Sequence, residues 1–440
     1  MRDEITEQVM RLKPHPSLIL FSGNNENKQA LQEDWYDTDL NKTLFLTEYL
    51  ALYDGVVRGV VEDFVGDIPF LLSSPSNGES RGWVDDNPQS ELAGDVHFYD
   101  YNCDCLNVSN LPVPRFASEF GFQSYPSLRT LRAAFRKRNV TLFDPNTEHR
   151  QHLVNGNKLL EEQVTRMFGK TKSRDNVLKG ETLVYLTQLH QALCVSSEIA
   201  HFRRHYNRLL PDGRGMNTGV LLWQLNDVWA APTWSIMDIT LRPKMLFYAM
   251  RRLYKPVVGT GFWNGTHVEV FVINELDRCV DFSLDLFLYD VQSRLSLKEW
   301  FVSGKSALPR SSGLVFTISE NILTNYCQNL ARCFLAVEFS SKYENIRTQE
   351  IVRPAMDWKG LILKNPGLKV EVAQRKPDRL VLRILSQNKA LWVWLEANED
   401  GVFSKNFFTM YQPMMFVEFI PRRMTKICCH IHATSLYHHY

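Results

Sequence analysis

No apolar run in the 440 residues approaches the roughly 20 residues that a membrane-spanning helix needs; residues 69–72 and 219–222 are typical of the longest stretches. Charge of one sign is missing too. Fifty Lys and Arg stand against 49 Asp and Glu, a net charge of +1, so no strong field draws the chain to nucleic acid or to an anionic membrane. Cysteine is sparse. Eight residues fit no dense disulfide scaffold. Cys103 and Cys105 form a C-x-C, and Cys428-Cys429-His430-Ile431-His432 looks superficially like a metal-ligand set. Zinc needs about four converging donors, neither cluster has a second half at the usual spacing, and no metal is expected. Cys327 and Cys333 can bridge in an oxidising compartment. The first residues lack the features of a signal peptide; they open a charged amphipathic segment with Ile5, Val9 and Leu12 at helical spacing, which taken literally means a cytoplasmic protein.

What is present is ordinary for a soluble protein: 44% hydrophobic and 22% charged residues. The length calls for two or three domains. Ten Trp, 16 Tyr and 26 Phe suit a carbohydrate-handling surface and a large β-rich core equally. Four glycosylation sequons begin at Asn41, Asn107, Asn139 and Asn264, a number that chance also supplies in a chain this long.

The first 250 or so residues mix helical patterns with short apolar strands at residues 17–22, 69–73, 95–99, 115–119 and 219–224. Helical stretches at 40–65 and 181–209 lie between them. Strands alternating with helices imply parallel β/α units. After about Pro256 the pattern changes to period-two runs at 268–272, 282–288, 333–339, 368–372, 380–384 and 416–420, which indicates antiparallel β-sandwiches. The loop around Arg353-Pro354-Ala355 is expected to separate two of them.

Two carboxylates stand out because each ends a buried strand. Glu26 sits in Ser22-Gly23-Asn24-Asn25-Glu26-Asn27, and Glu119 follows Arg115-Phe116-Ala117-Ser118. In a parallel barrel the C-terminal strand ends form the catalytic face, and two carboxylates there can flank a glycosidic bond. The competing reading is that each Glu caps a helix or accepts backbone hydrogen bonds after its strand.

Ser22-Gly23-Asn24-Asn25-Glu26-Asn27 resembles the fourth-strand acid/base signature of the β-mannosidases in glycoside hydrolase family 2. The segment from Phe116 to Ser127, with Glu119 in it, is similar to their seventh-strand nucleophile segment. Gly94-Asp95-Val96-His97-Phe98-Tyr99-Asp100-Tyr101 resembles their sixth strand. Leu222-Trp223-Gln224-Leu225-Asn226-Asp227-Val228-Trp229 resembles their eighth, and His432-Ala433-Thr434-Ser435-Leu436-Tyr437 the end of the animal enzymes. Four ordered motifs of this length are specific, and the likeness covers essentially the whole chain.

The resemblance implies α/β plus all-β architecture: strands 4–8 of a (β/α)8 TIM barrel over residues 1–256, then immunoglobulin-like β-sandwiches over 257–354 and 355–440. It implies a retaining exo-β-mannosidase acting on terminal non-reducing β-D-mannose, with Glu26 as acid/base and Glu119 as nucleophile. Asn25 is expected on the sugar 2-hydroxyl and Trp223 under the mannose ring. His97, Tyr99 and Tyr101 share one strand face, so one or more is expected in the pocket, and Trp35 is a candidate for the aglycone side. No metal or organic cofactor is implied. The expected partner is a β-mannoside oligosaccharide, the expected state a monomer, and the expected home the lysosome.

Barrel strands one to three have no counterpart in the sequence, so a truncated chain that folds poorly and lacks activity alone is expected. The rival readings are another exo-glycosidase of the same family (a β-glucosaminidase, β-galactosidase or β-glucuronidase) and a non-catalytic carbohydrate-binding derivative.

Overall fold

The structure is a computed structural model; it describes all residues except 79–86, 138–139, 171–175, 355–357, 424–429 and 440. Cys428 and Cys429 of the metal-like C-terminal cluster, and the sequon residue Asn139, lie outside the described residues. The chain divides into two compact units. One comprises Met1–Tyr99, Pro112–Phe120 and His205–Leu222, the other Asp100–Leu111, Gly121–Arg204 and Trp223–Tyr440.

In the first unit the amphipathic opening segment is helical over Arg2–Leu12 and buries Val9. Val9 packs with Val60 and Val61 of the helix Arg58–Val65, which continues the helical run Lys42–Tyr49 and a π-helical stretch Leu50–Val57. Four short strands carry the sheet structure: β1 (Phe21–Ser22), β2 (Phe70–Leu71), β3 (Val96–Phe98) and β4 (Ala117–Phe120). β1 pairs parallel with β2, and β3 parallel with β4. An antiparallel bridge between Ser76 and Asp95 links the two pairs, and a parallel bridge joins Ala117 to Val220.

The strands are shorter than the apolar runs that announced them. The run at 219–224 forms no strand, only the bridge at Val220. Backbone bonds join it to the segment around Ala117: Thr218 N–H to Arg115 O, Ala117 N–H to Gly219 O and Leu221 N–H to Ala117 O. The apolar run does not mark burial here: Val220 is buried, but Leu221 and Trp223 are exposed.

In the second unit the helix Asn176–Arg204 buries Leu183, Leu186, Leu189, Val195, Ile199 and Phe202. A disulfide from Cys105 to Cys194 ties it to the segment around residue 105. After the helix Met245–Leu253 the chain is almost entirely antiparallel sheet: β5 (Val257–Trp263), β6 (His267–Asn274), β7 (Val280–Asp290), β8 (Lys298–Ala307), β9 (Ser311–Ser319), β10 (Cys333–Ser341) and β11 (Arg347–Val352). They form sheets of order β11-β10-β7-β8 and β5-β6-β9. Leu284, Leu286, Leu288, Leu335 and Val337 from one sheet meet Val257, Val268, Val270 and Val272 from the other in a single core. Alternation explains this: every second residue of β7 is buried, and apolar residues hold those positions. Cys327 and Cys333 form a disulfide.

A second pair of sheets follows, built from β12 (Lys369–Arg375), β13 (Leu380–Leu385), β14 (Ala390–Ala397), β15 (Gly401–Phe403), β16 (Phe408–Met410), β17 (Met414–Pro421) and β18 (Ile431–Thr434). Their orders are β12-β13-β17-β15 and β16-β14-β18, around a core that includes Leu382, Val393, Leu395 and Phe419. Among the described residues no helix is long and apolar enough to cross a membrane.

Candidate active site

The turn after β1 is built by Asn24. Its amide donates to Leu72 O (2.7 Å), and its Oδ1 accepts from Asn27 N–H (3.1 Å) and the Ser73 hydroxyl (2.8 Å). Gly23 is required beside it, because a Cβ there would lie 2.7 Å from Leu72 O. Backbone bonds from Ser74 N–H to Asn24 O (3.0 Å) and from Glu26 N–H to Ser74 O (2.8 Å) continue the β1–β2 pairing through the turn. Glu26 is left in the left-handed region at φ 61°, ψ −1°, at the N-cap position of the helix Asn27–Gln32. Its side chain makes no capping bond. Capping is therefore not what Glu26 does.

Instead Glu26 Oε1 lies 2.8 Å from His97 Nδ1. His97 occupies β3, opposite Glu119 in β4, next to a register shift between Val96 and His97. Glu119 is the third of the four residues of β4. The backbone of His97 is gripped by one side chain: Gln89 Oε1 accepts its N–H (2.9 Å), and Gln89 Nε2 donates to its C=O (2.8 Å). The ring is buried, with 2% of the side chain exposed, against 23% for Glu26 and 17% for Glu119.

His97 Nδ1 is also 3.7 Å from Glu119 Oε2. One donor atom from each of Glu26, His97 and Glu119 falls within 4.8 Å of the others. The Tyr99 hydroxyl donates to Glu119 Oε1 at 2.6 Å. One oxygen of that carboxylate is held while the other faces the imidazole. On the far side of the ring, Nε2 is 2.9 Å from Ser74 Oγ. Ser74 donates in turn to Asp95 Oδ2 (2.5 Å), which also accepts from Ser118 (2.5 Å), while Ser76 N–H donates to Asp95 Oδ1 (2.8 Å).

The other candidates fall in different surroundings. Asn25 is exposed and bridges to Ser74 through the backbone. Trp35, 42% exposed, donates its indole N–H to Glu33 (2.8 Å), and Glu33 accepts from Gln29 (2.9 Å). Gln29 accepts from the same Gln89 that grips His97 (3.1 Å). Tyr101 and Trp223 belong to the second unit. The Tyr101 hydroxyl accepts from the Trp234 indole (2.7 Å). Trp223 is 44% exposed, and its carbonyl passes so near Gly121 that a Cβ there would lie 2.4 Å from it. Asp227, in the loop after Trp223, accepts from Thr233. Burial raises the pKa of Asp227 and lowers that of Lys244, whose ammonium donates to Ser124 O (3.3 Å) and Thr233 O (3.4 Å).

Sequence reasoning did not single out Asp95, Ser74, Ser118 or Gln89. Asp95 had a signal, since it shares a strand face with His97 and Tyr99. Ser74 and Gln89 had none, because only folding brings them to His97, and Ser118, inside the nucleophile motif, gave no sign of its bond to Asp95.

Among the described residues, a second donor group combines Cys105, His190 and Cys194. Its sulfurs are joined to each other in the disulfide, which removes the thiolates a metal would need. Burial holds His190 at a pKa of about 3 and pushes the neighbouring Cys103 thiol up to about 12.

Residues 363–437 match the mannosidase Ig-fold domain. Over 99% of its length the chain is 32% identical to the β-mannosidase of Capra hircus and 33% identical to that of Bos taurus. It spans about half the length of these curated relatives, 50% in both cases. A crystal structure of β-D-mannosidase from Dictyoglomus thermophilum superimposes with a TM-score of 0.77 over 99% of this chain and 50% of that one, at 20% identity. An exo-chitosanase of Amycolatopsis orientalis follows at a TM-score of 0.66 and 13% identity, over 99% and 52% of the two chains. With the Glu26 and Glu119 motifs inside the aligned length, the likeness is to about half of a β-mannosidase of glycoside hydrolase family 2.

Proposed function

We propose that the protein carrying this chain is a retaining exo-β-mannosidase that removes terminal non-reducing β-D-mannose from oligosaccharides. The observation that carries this reading is the approach of Glu26 and Glu119, with an oxygen of each within 4.8 Å of the other. Retaining glycosidases hold their two carboxyl groups about 5–5.5 Å apart, and inverting ones about 6.5–9.5 Å to admit a water. The short separation supports a direct attack.

Glu119 Oε2 bonds to the anomeric carbon while the glycosidic C–O bond breaks and Glu26 delivers its proton to the departing oxygen. Water then adds to the same carbon, giving a proton to Glu26 and releasing Glu119, so the configuration is retained. The Tyr99 hydroxyl fixes which oxygen of Glu119 points at the sugar. Asn25 is the residue for the 2-hydroxyl, and Trp223 offers an indole face for pyranose C–H groups. Trp35 is proposed for the aglycone. No step calls for a metal or an organic cofactor.

In this reading β1 to β4 and the segment at Val220 are the fourth to eighth strands of a (β/α)8 barrel, supported by the two parallel pairs and by the helices between β1 and β2. Residues 1–256, 257–354 and 355–440 are its domains. A lysosomal, monomeric glycoprotein completes the proposal.

The test is a panel of 4-nitrophenyl β-glycosides with a 2-deoxy-2-fluoro-β-mannosyl fluoride trap. Turnover confined to the mannoside, with the label recovered on Glu119, is expected. Preference for the glucosaminide, galactoside or glucuronide, or a label on another residue, would replace this assignment.

A further inference from the structure

Every hydrogen in the line Asp95–Ser74–His97–Glu26 can be placed. Asp95 accepts from two hydroxyls and one backbone N–H, an arrangement that suits a carboxylate with no proton of its own. The single hydrogen of Ser74 therefore goes to Asp95. Ser74 Oγ then has only lone pairs for His97 Nε2, so Nε2 must carry the hydrogen in their 2.9 Å contact. With Nε2–H fixed, a neutral His97 has its lone pair on Nδ1. The 2.8 Å contact of Nδ1 with Glu26 Oε1 then requires one proton between those two atoms.

We propose that Asp95 and Ser74 are positioning residues that lock His97 in its Nε2–H form, so that Glu26 and His97 together hold the single proton that the leaving group receives. This rests on the assignment of Glu26 as acid/base. The titratable groups facing the ring are Glu26 from the turn after β1, Asp95 and Tyr99 from its own segment, and Glu119 from β4. None of them competes for Nε2 as Ser74 does, since Asp95 Oδ2 is 4.0 Å away.

In the glycosylation step the proton leaves Oε1 for the glycosidic oxygen as the C–O bond to the aglycone breaks. In the second step the attacking water returns one proton to the same pair. His97 touches neither sugar nor water in this scheme. It keeps Glu26 supplied with, and relieved of, one hydrogen. The opposite tautomer would aim an N–H at Glu26 and favour its proton-free form before the substrate binds.

Two measurements test this. The first is 15N NMR of the histidine ring nitrogens between pH 4 and 8, which does not depend on activity. The expected pattern has His97 Nε2 protonated throughout. A bare Nε2 with Nδ1–H in the native protein overturns the proposal.

The second compares 2,4-dinitrophenyl β-mannoside, whose leaving group departs unprotonated, with an alkyl β-mannoside that needs the acid. Asp95→Asn, whose amide can donate to Ser74 and turn its hydroxyl toward Nε2, should slow the alkyl substrate by roughly 10²–10⁴-fold. The dinitrophenyl substrate should change by less than about tenfold. Ser74→Ala, a smaller change, should move both in the same sense and serves if Asp95→Asn does not fold. Equal slowing of both substrates would reduce the two residues to fold supports. If native protein cleaves neither mannoside while the NMR pattern holds, the assigned reaction fails and the tautomer lock stands.

Discussion

The carboxylate site and the β5–β11 sandwich reach order by opposite means. Around Glu26 and Glu119 the strands are two to four residues long, and the positions of side chains are set by polar contacts: Asn24 with three partners, Gln89 gripping His97 at both backbone groups, Asp95 gathering three donors. In the sandwich, strands of six to eleven residues alternate and close on aliphatic side chains. Directional bonds define position to a fraction of an ångström but add little net stability each. Apolar burial stabilises strongly and tolerates displacement. Damage to the first region should therefore appear as lost activity, and damage to the second as lost stability.

The sharpest break in that contrast is Glu119→Gln. It should lower kcat on an aryl mannoside on the order of 10⁴-fold or more, with an unchanged circular dichroism spectrum and melting curve. Leu335→Ala lies at the other pole. Leu335 is fully buried between Leu288 of β7 and Val352 of β11. Its truncation should cost about 2–5 kcal/mol in urea unfolding, while activity per folded molecule stays at the native level.

Tyr99→Phe probes the polar region more gently. Losing the 2.6 Å bond to Glu119 should reduce kcat roughly 10²-fold with little change in the urea midpoint. A large fall in stability instead would place the tyrosine with the core residues.

The smallest effect belongs to a surface pair in the second sandwich. His432 of β18 faces Glu396 of β14, 3.2 Å away, and this hydrogen bond raises its pKa. A group bound more tightly to its proton when folded stabilises fully below the unfolded value of about 6.5. That contribution fades as pH rises through the folded value. Native protein should therefore out-melt His432→Asn slightly at pH 5, and the two should converge above pH 8. Half exposure and solvent screening keep the difference small.

The contrast also explains what could be read without coordinates. Period-two runs at 282–288 and 380–384 fall inside β7 and β13, because a half-buried strand writes its geometry into every second residue; the run at 333–339 falls inside β10, whose first five residues are all buried. β14 escaped notice. Its first four residues, Ala390 to Val393, are all buried, so nothing alternates. The exposed residues of β8 hide it for the opposite reason.

In the first unit the motif around Glu26 was legible as a string, but not the His97 Nδ1 contact, which joins residues 71 positions apart. Ser74 and Gln89 carry no motif of their own, and Asp95 stood inside the sixth-strand motif with no sign of its partners. Nor does the spacing of Cys105 and Cys194, 89 positions apart, announce a bond, and Cys103 was the nearer partner on paper. Local patterns report which face is buried; they are silent on which distant polar atoms meet.

The left-handed backbone of Glu26 has a consequence for anyone who removes its carboxyl group. A side chain with a Cβ in that conformation is disfavoured by about 1–2 kcal/mol relative to glycine. Of two acid-free variants, Glu26→Gly should therefore melt above Glu26→Ala, although neither retains the contact with His97. The chain would relax where its acid is deleted, and a residue held against the preference of its own backbone is one that folding alone would not have chosen.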